Sequence, residues 1–195
     1  MKKIYILISL IILTLQAQAQ LAHYQSQFNK INENLMLGLG SYAVSNFVLS
    51  GFSYATSQDE STRHFHEMNI MWNTVNLGLA VPGYLKAKRG GKELTLEEMM
   101  KEQKKTETIF LVNGILDLGY IATGIWMRNE AANQADRADM YRGYGNSLIL
   151  QGSFLLAFDA YAYYLHRNHA KQLPISDKVS VHTSATGLGV VITLD

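Results

Sequence analysis

The sequence of 195 residues contains no cysteine, which excludes disulfide bonds, thiol catalysis and cysteine-ligated metal sites together. Charged residues are also scarce, at 17% of the chain, against about 25% in a typical soluble domain. The 17 basic and 16 acidic side chains nearly cancel, so the chain lacks the positive excess typical of nucleic-acid-binding proteins. What is present is a 48% hydrophobic sequence with only 2 prolines, long enough for one domain and a tail. This balance indicates a helical protein in or near a membrane.

The N-terminus has the pattern of a secretory signal peptide. Lys2 and Lys3 give a positive start, residues 4–15 are almost all apolar, and Ala17 and Ala19 form the small-residue cleavage pattern. The apolar run is shorter than an ordinary membrane span, although an uncleaved anchor is the alternative. Export of a chain without cysteine favours a protein of the bacterial cell envelope.

Four apolar stretches follow, over residues 35–54, 68–85, 109–127 and 147–165. Each is about the length that a helix needs to cross a bilayer. Their polar residues do not alternate as in a strand but recur at helical spacing, which gives each helix one narrow polar stripe. We therefore predict an all-α, transmembrane four-helix bundle built as two helical hairpins. The alternative is a soluble, exported four-helix bundle.

The predicted domain boundaries are a signal peptide over 1–19, the four-helix domain over 20–170 and a C-terminal tail over 171–195. Within the tail, Val179–Thr183 and Leu188–Leu194 have the composition of two short strands joined by a turn. A lone hairpin is marginal in water, so it serves as a contact for a partner by strand addition or is a frayed end.

The polar stripes supply the candidate ligand-binding residues of a polar core. These are Asn69, Asn73, Asn76, Asn113, Asp117, Gln151 and Asp159. Asparagine is a poor helix former, so three on one helix face need a reason, and interhelical hydrogen bonds to the third and fourth helices provide one. A site for a polar substrate is the alternative reason.

Asp117 and Asp159 are the most informative residues of this set. Each lies near the middle of a predicted span, where burial of a charge in the membrane costs free energy. No lysine, arginine or histidine lies inside the four stretches, so each carboxyl requires an amide, a hydroxyl, water, a cation or its own proton. One interpretation is a polar lock in which a protonated carboxyl donates to Asn73 or Asn76. The other is a site that handles protons or cations.

Other residues that could bind a ligand or take part in catalysis have weaker support. His64 and His66 are spaced two apart and are interpreted as solvated loop residues rather than metal ligands. His166 and His169 follow the fourth stretch, at a helix C-terminus, where histidines commonly interact favourably with the helix dipole. No phosphate-binding loop, nucleophile elbow or zinc-binding motif appears, so no cofactor and no metal are predicted.

Local signals predict several helix ends and contacts. Gly90-Gly91 marks a break, and Thr95 to Glu98 forms a capping-box pattern that would start the third helix near Leu96. Pro82 is expected to kink the second helix or to end its regular part. Small residues are expected to permit close helix approach; they are Gly38, Gly40, Ser41, Ser45, Gly51, Gly114 and Gly119.

The distribution of positive charge opposes the simplest membrane topology. If the cleaved signal places residue 20 outside the inner membrane, eleven lysines and arginines lie outside and only four arginines inside. This reverses the positive-inside rule. Three explanations are open: a periplasmic bundle, association with the outer membrane, or an N-terminal segment that does not translocate the start of the mature chain.

The chain resembles an uncharacterised, domain-of-unknown-function family of small four-helix envelope proteins of Gram-negative bacteria. The resemblance covers roughly residues 20–170 and depends on the signal-like start and two polar patterns. These patterns are Met68-Asn69, Trp72-Asn73 and Asn76 in the second stretch, and Leu150-Gln151-Gly152 and Phe158-Asp159 in the fourth. The resemblance implies the architecture and no activity.

Taken together, the sequence predicts a non-enzymatic membrane or envelope protein whose buried polar network specifies the helix bundle. The alternative is a small transporter or a ligand- or cation-binding membrane protein that uses the intramembrane carboxylates. An enzyme that uses the two carboxylates is the least favoured hypothesis. The expected partners are the lipid bilayer and either another protein or a second copy of the chain, with no nucleic acid.

Overall fold

The structure is a computed structural model that describes residues 2–173, 179–184 and 187–192. Its body consists of four helices: α1 (Lys2–Thr56), α2 (Glu60–Arg89), α3 (Leu96–Glu130) and α4 (Ala138–Ala170). Two single-turn 3₁₀ helices, Ala131–Asn133 and Ala135–Arg137, connect α3 to α4. The predicted all-α four-helix architecture is confirmed.

The break between α2 and α3 follows the local sequence signals. Gly90 and Gly91 have positive φ angles of 76° and 65°, a conformation that glycine adopts without a steric penalty. At the start of α3, the Glu98 backbone N–H donates to the Thr95 hydroxyl, and the Thr95 backbone N–H donates to the Glu98 carboxylate at 2.9 Å. This reciprocal capping box starts α3 at Leu96, as predicted.

The second helix begins before the apolar stretch and continues past Pro82. Asp59 caps its N-terminus by accepting a hydrogen bond from the Thr62 backbone N–H at 2.7 Å, and hydrogen bonding by Thr62 holds the pKa of Asp59 below its usual value. The helix then continues through Pro82 to Arg89, so the expectation that its regular part ends at this proline is wrong. Pro82 is exposed, so its missing N–H removes one hydrogen bond at the bundle surface.

The helices pair as two hairpins. The helix α1 packs along α2, α3 packs along α4, and the two hairpins meet mainly through α2 and α4. The helix α2 therefore has neighbours on two sides, which explains why its asparagine face is fully enclosed.

The distribution of side chains between inside and outside is inverted relative to a soluble bundle. Phe52 is 72% exposed, whereas Asn73 and Gln151 are fully buried. Large exposed apolar side chains concentrate in residues 37–54 of α1, 71–85 of α2, 109–126 of α3 and 150–164 of α4; we call these residues the apolar belt. At 1.5 Å per residue, the belt is about 25 Å tall, close to the roughly 30 Å of a bilayer hydrocarbon core.

Three helical segments of the described chain are long and apolar enough to span a membrane, namely Leu15–Thr56, Leu96–Asn133 and Ala135–Ala170. The expected fourth, on α2, is not among them, because its asparagines lower its hydropathy. Since these asparagines face the interior between α1 and α4, α2 presents mainly its apolar side chains outward.

The helix α1 continues without a break through the predicted cleavage site after Ala19. Side chains from Leu15 to Gln20 are exposed, and Leu21 and Tyr24 pack in a core cluster with Met99 of α3. Among the described side chains of α1, those in the bundle core lie beyond the predicted signal peptide.

Of the expected glycines, Gly40 and Gly114 lie against a neighbouring helix, at Ala80 and Leu156, but the tightest contacts occur at other glycines. A Cβ at Gly38, Gly51 or Gly119 would meet nothing within 4 Å. At Gly124 on α3 it would lie 2.6 Å from the Gly145 carbonyl oxygen on α4. Two further glycines of α4 are equally confined; Gly143 faces the backbone of α2 at Ser61 and Phe65, and Gly152 faces α3 at Asp117 and Ile121.

The C-terminal tail contains strands β1 (Val179–Ser184) and β2 (Gly187–Ile192), which pair antiparallel with Val179 opposite Ile192. Of the turn predicted over residues 184–187, Ser184 ends β1 and Gly187 begins β2. Residues 185–186 and the last residues of the second predicted strand, 193–194, lie outside the described residues.

Candidate functional site: a polar seam inside the bundle

The centre of the buried polar core is Asn69 of α2. Its side-chain oxygen Oδ1 accepts a hydrogen bond from Gln151 Nε2 at 2.7 Å and another from Ser147 Oγ at 2.8 Å. Both donors lie on α4, one helical turn apart, and all three side chains are buried. These bonds join the two hairpins at the α2–α4 contact.

The same network extends to α1 and along α2. The Tyr42 hydroxyl donates to Gln151 Oε1 at 3.2 Å, and the Tyr42 ring stacks on Phe154 with a centroid separation of 3.3 Å. On α2, Asn73 Nδ2 donates to the Asn69 backbone carbonyl at 2.8 Å, and Asn76 Nδ2 donates to Asn73 Oδ1 at 3.3 Å. We call this network the polar seam; its members are Tyr42, Asn69, Asn73, Asn76, Ser147 and Gln151.

The seam contains two residues, Tyr42 and Ser147, that were not among the predicted site residues. Ser147 is fully buried and shares the Asn69 acceptor with Gln151. Its position four residues before Gln151 places it on the same face of α4, so the helical spacing could have identified it.

Asp117 and Asp159 form a separate carboxylate pair at the contact between α3 and α4. They are 3% and 5% exposed, and their carboxyls are close enough for a hydrogen bond once one of them carries a proton. The Oδ2 atom of Asp117 is buried and has no hydrogen-bond donor among the described residues. No hydrogen bond links either carboxyl to Asn73 or Asn76 in the described chain, so the predicted lock through these amides is not formed.

Asn113 is the candidate residue that stands apart. It is half-buried, and its side chain makes no hydrogen bond within the described residues. The structure therefore brings together four of the seven candidates in the polar seam and two in the carboxylate pair. Asn113 joins neither group.

A second polar cluster lies beyond the apolar belt, where α4 ends and α3 begins. His166 and His169 are buried near the end of α4, where the sequence analysis expected histidines that interact with the helix dipole. His169 stacks on Tyr24 with centroids 3.9 Å apart, and both ring nitrogens of His166 are without a hydrogen-bond partner in the described part of the chain. The reason is that α1 and α3 extend past the belt and enclose the last turn of α4.

Gln103 connects this cluster. Its Nε2 donates to the His166 backbone carbonyl at 2.8 Å and to Glu107 Oε1 at 3.0 Å, while its Oε1 accepts from the Tyr24 hydroxyl at 2.9 Å. The i, i+4 spacing of Gln103 and Glu107 was the available sequence signal for this cluster.

His64 and His66 lie on the first turns of α2 rather than in a loop. His64 Nδ1 is 3.0 Å from Glu67 Oε2, and His66 Nδ1 is 3.2 Å from Ser50 Oγ. Hydrogen bonds from His64 and Tyr144 hold the pKa of Glu67 below its usual value. Among the residues that the structure describes, no group of three histidine or acidic side chains is arranged to hold a metal ion.

The amides and hydroxyls of the polar seam mainly form hydrogen bonds with one another, so few of their donors and acceptors are left for a ligand. A cavity of about 550 Å³ lies between α1, the end of α2 and the start of α3, and no residue of the seam lines it.

Comparison with known proteins returned no significant match among curated proteins or among solved structures. One family matched, over residues 38–160, which include every candidate residue of the polar core. The chain belongs to this family, DUF6992, a family of unknown function.

Proposed function

We propose that this protein is a non-enzymatic integral membrane protein of the cell envelope, in which the polar seam specifies how the helices pair. The observation that carries the proposal is the inverted side-chain distribution, with apolar side chains in the belt outside and hydrogen-bonded amides inside. Water would favour the opposite arrangement, because exposed apolar patches of this extent are rare on soluble proteins.

The contacts of the seam support a structural role. Polar groups inside a membrane protein need partners within the protein, and Asn69, Ser147 and Gln151 provide one another with partners across α2 and α4. The close approach of Gly124 and Gly145 at the α3–α4 contact also supports a non-enzymatic protein, since it leaves no room there for a substrate. The partners in this proposal are the lipid bilayer and either another protein or a second copy of the chain.

Cell fractionation with carbonate extraction tests the proposal in the producing cell. We expect the protein to stay in the membrane pellet at high pH and to enter the supernatant only with detergent, because the apolar belt holds it in lipid. A soluble envelope protein and an established integral membrane protein, followed in parallel, calibrate the extraction. The intact mass of the recovered chain is expected to correspond to a mature start at Gln20.

Release of the chain by carbonate would overturn the membrane proposal and favour the exported soluble bundle. Recovery of a membrane-bound chain that still carries residues 1–19 would leave the bundle in the membrane but contradict cleavage. In that case the first helix retains its N-terminal segment as an anchor.

One observation favours a second candidate function, the binding of a proton or a cation by the carboxylate pair. Asp117 Oδ2 is buried without a donor beside Asp159, and an isolated carboxylate in such a place requires neutralisation. Lysine, arginine and histidine are absent from the apolar stretches, so a shared proton or a bound cation has to balance the charge.

The variant Asp117→Asn separates a structural pair from a binding site. Because asparagine can donate to Asp159, we expect the free energy of unfolding in detergent to change by no more than about 2 kcal/mol. Addition of sodium or potassium is expected to leave the stability of both proteins unchanged. The exposed Asp139→Asn on α4 is the matched control for the lost charge.

Cation-dependent stabilisation of the wild type that disappears in Asp117→Asn, but not in Asp139→Asn, would establish the second candidate. Such a result would contradict a purely structural pair.

A further inference from the structure

We propose that the cavity at the edge of the apolar belt binds the headgroup and upper acyl chain of an anionic phospholipid. We call this cavity the lysine cleft; it has a volume of about 550 Å³ and is bounded by α1, by the end of α2, by the α2–α3 loop and by the first turns of α3. The proposal rests on the membrane location proposed above.

The charge of the lysine cleft selects an anion. Its lining contains two more lysines than glutamates; the lysines are Lys86, Lys92, Lys101 and Lys105, and the acids are Glu98 and Glu102. Two of the lysines are held by these acids, with Lys92 Nζ at 2.7 Å from Glu98 and Lys86 Nζ at 3.2 Å from Glu102. Lys101 has no ion-pair partner among the described residues, and Lys105 reaches Glu102 only at 4.0 Å. These two lysines on α3 are therefore available to a phosphate group.

The floor of the lysine cleft is apolar, which selects an amphiphile over a free anion. Phe28 and Ala87 are buried there, and Met36 lies against Gly83 at the bottom. A Cβ at position 83 would lie 2.7 Å from Met36 Sδ, so the glycine allows the methionine side chain to lie in this position.

Hydrogen bonds between α1 and the α2–α3 loop hold the walls of the lysine cleft in place. Gln25 on α1 holds the α2–α3 loop from both sides; its Nε2 donates to the Lys92 carbonyl at 2.8 Å, and its Oε1 accepts from the Leu94 N–H at 3.0 Å. Asn29 Nδ2 also donates to the Gly90 carbonyl at 3.3 Å.

The position of the lysine cleft matches the layers of a bilayer. Gly83 lies within the apolar belt and Met36 adjoins it at Leu37, whereas the lysines lie beyond it. The same end of the bundle carries most of the positive charge of the described chain; its basic residues are Lys30, Lys86, Lys88, Arg89, Lys92, Lys101, Lys104, Lys105, Arg167 and Lys171. A phospholipid bound there would place its phosphate at the lysines and its chain at the belt.

The test uses the full-length protein, purified in detergent and reconstituted in nanodiscs of phosphatidylcholine with a minor fraction of phosphatidylglycerol. Lipid retained after mild re-extraction is counted by native mass spectrometry. We expect the wild type to retain phosphatidylglycerol in preference to phosphatidylcholine. At about 1 kcal/mol for each lysine, Lys101→Gln with Lys105→Gln is expected to weaken the preference about thirtyfold.

Two matched controls locate the effect. Lys104→Gln removes the same charge from the same helix, but Lys104 does not line the lysine cleft, and we expect the preference to persist. Thr106→Trp fills the cleft and is expected to abolish retention, whereas Thr108→Trp, on the exposed side of α3, is expected to preserve it.

Equal retention of the two lipids, or equal losses in Lys104→Gln and in the double variant, would overturn the lipid site. Thermal stabilisation by inorganic phosphate equal to that by phosphatidylglycerol would overturn it in favour of a free-anion site. The membrane proposal fails separately, in the carbonate extraction. A chain that is released by carbonate but still prefers anionic vesicles would retain the site and lose the membrane span.

Discussion

Gly145→Ala is expected to lower the free energy of unfolding by about 2–4 kcal/mol relative to Gly119→Ala. A Cβ at position 145 would lie 2.7 Å from the Gly124 carbonyl oxygen and 2.9 Å from Arg128 Cγ. The backbone oxygen cannot move aside without separating α3 from α4, so the variant overpacks this contact. The measurement is denaturant-induced unfolding in detergent micelles, followed by circular dichroism or tryptophan fluorescence.

Gly119→Ala is the matched control, since it makes the same chemical change on α3 where nothing lies within 4 Å. Alanine has the higher helix propensity, so the control is expected to be neutral or to stabilise the protein by up to about 1 kcal/mol. Equal behaviour of the two variants would show that α3 and α4 do not approach at Gly124 and Gly145.

Asn69→Ala is expected to lower the free energy of unfolding by about 2–4 kcal/mol, because it removes the acceptor shared by Gln151 and Ser147. Hydrogen bonds between membrane helices are individually worth about 1–2 kcal/mol or less, but this variant leaves two buried donors unpaired and opens a cavity. Unfolding in detergent, measured as for the glycine variants, gives the value.

The control is Thr74→Ala on the same helix, because Thr74 is exposed and its hydroxyl bonds only to the Ile70 carbonyl one turn away. Its effect is expected to stay within about 0.5 kcal/mol. A double-mutant cycle with Gln151→Ala adds a sharper criterion. If Asn69 and Gln151 act together, the double variant loses less than the sum of the single losses, and strict additivity would contradict the polar seam.

Local signals in the sequence were sufficient for the helix boundaries around the α2–α3 loop. The Thr95–Glu98 capping box and the Gly90-Gly91 pair act through neighbouring backbone atoms, so their effect is contained in a few consecutive residues. Of the two effects predicted for Pro82, a helix end is contradicted, since α2 continues to Arg89. Packing against helices on two sides stabilises α2 despite the lost N–H.

Helical spacing identified the face of each polar stripe but not its partner across the bundle. Asn69 and Gln151 were both recognised, and their hydrogen bond joins them across the α2–α4 contact. Asn113 was recognised by the same spacing and yet stays outside the network. Whether a polar side chain meets a partner depends on how the two helices are rotated relative to each other. The spacing of residues within one helix carries no information about that rotation.

The sequence by itself determined that this protein forms long helices with apolar sides and one polar stripe, because periodicity is a property of each helix alone. Tertiary structure decided which stripes meet, which glycines lie at crossings, and where the lysines border a cavity. Hydrogen bonds and steric contacts change within a few tenths of an ångström, and distances of that size between helices are set only when all four helices pack together.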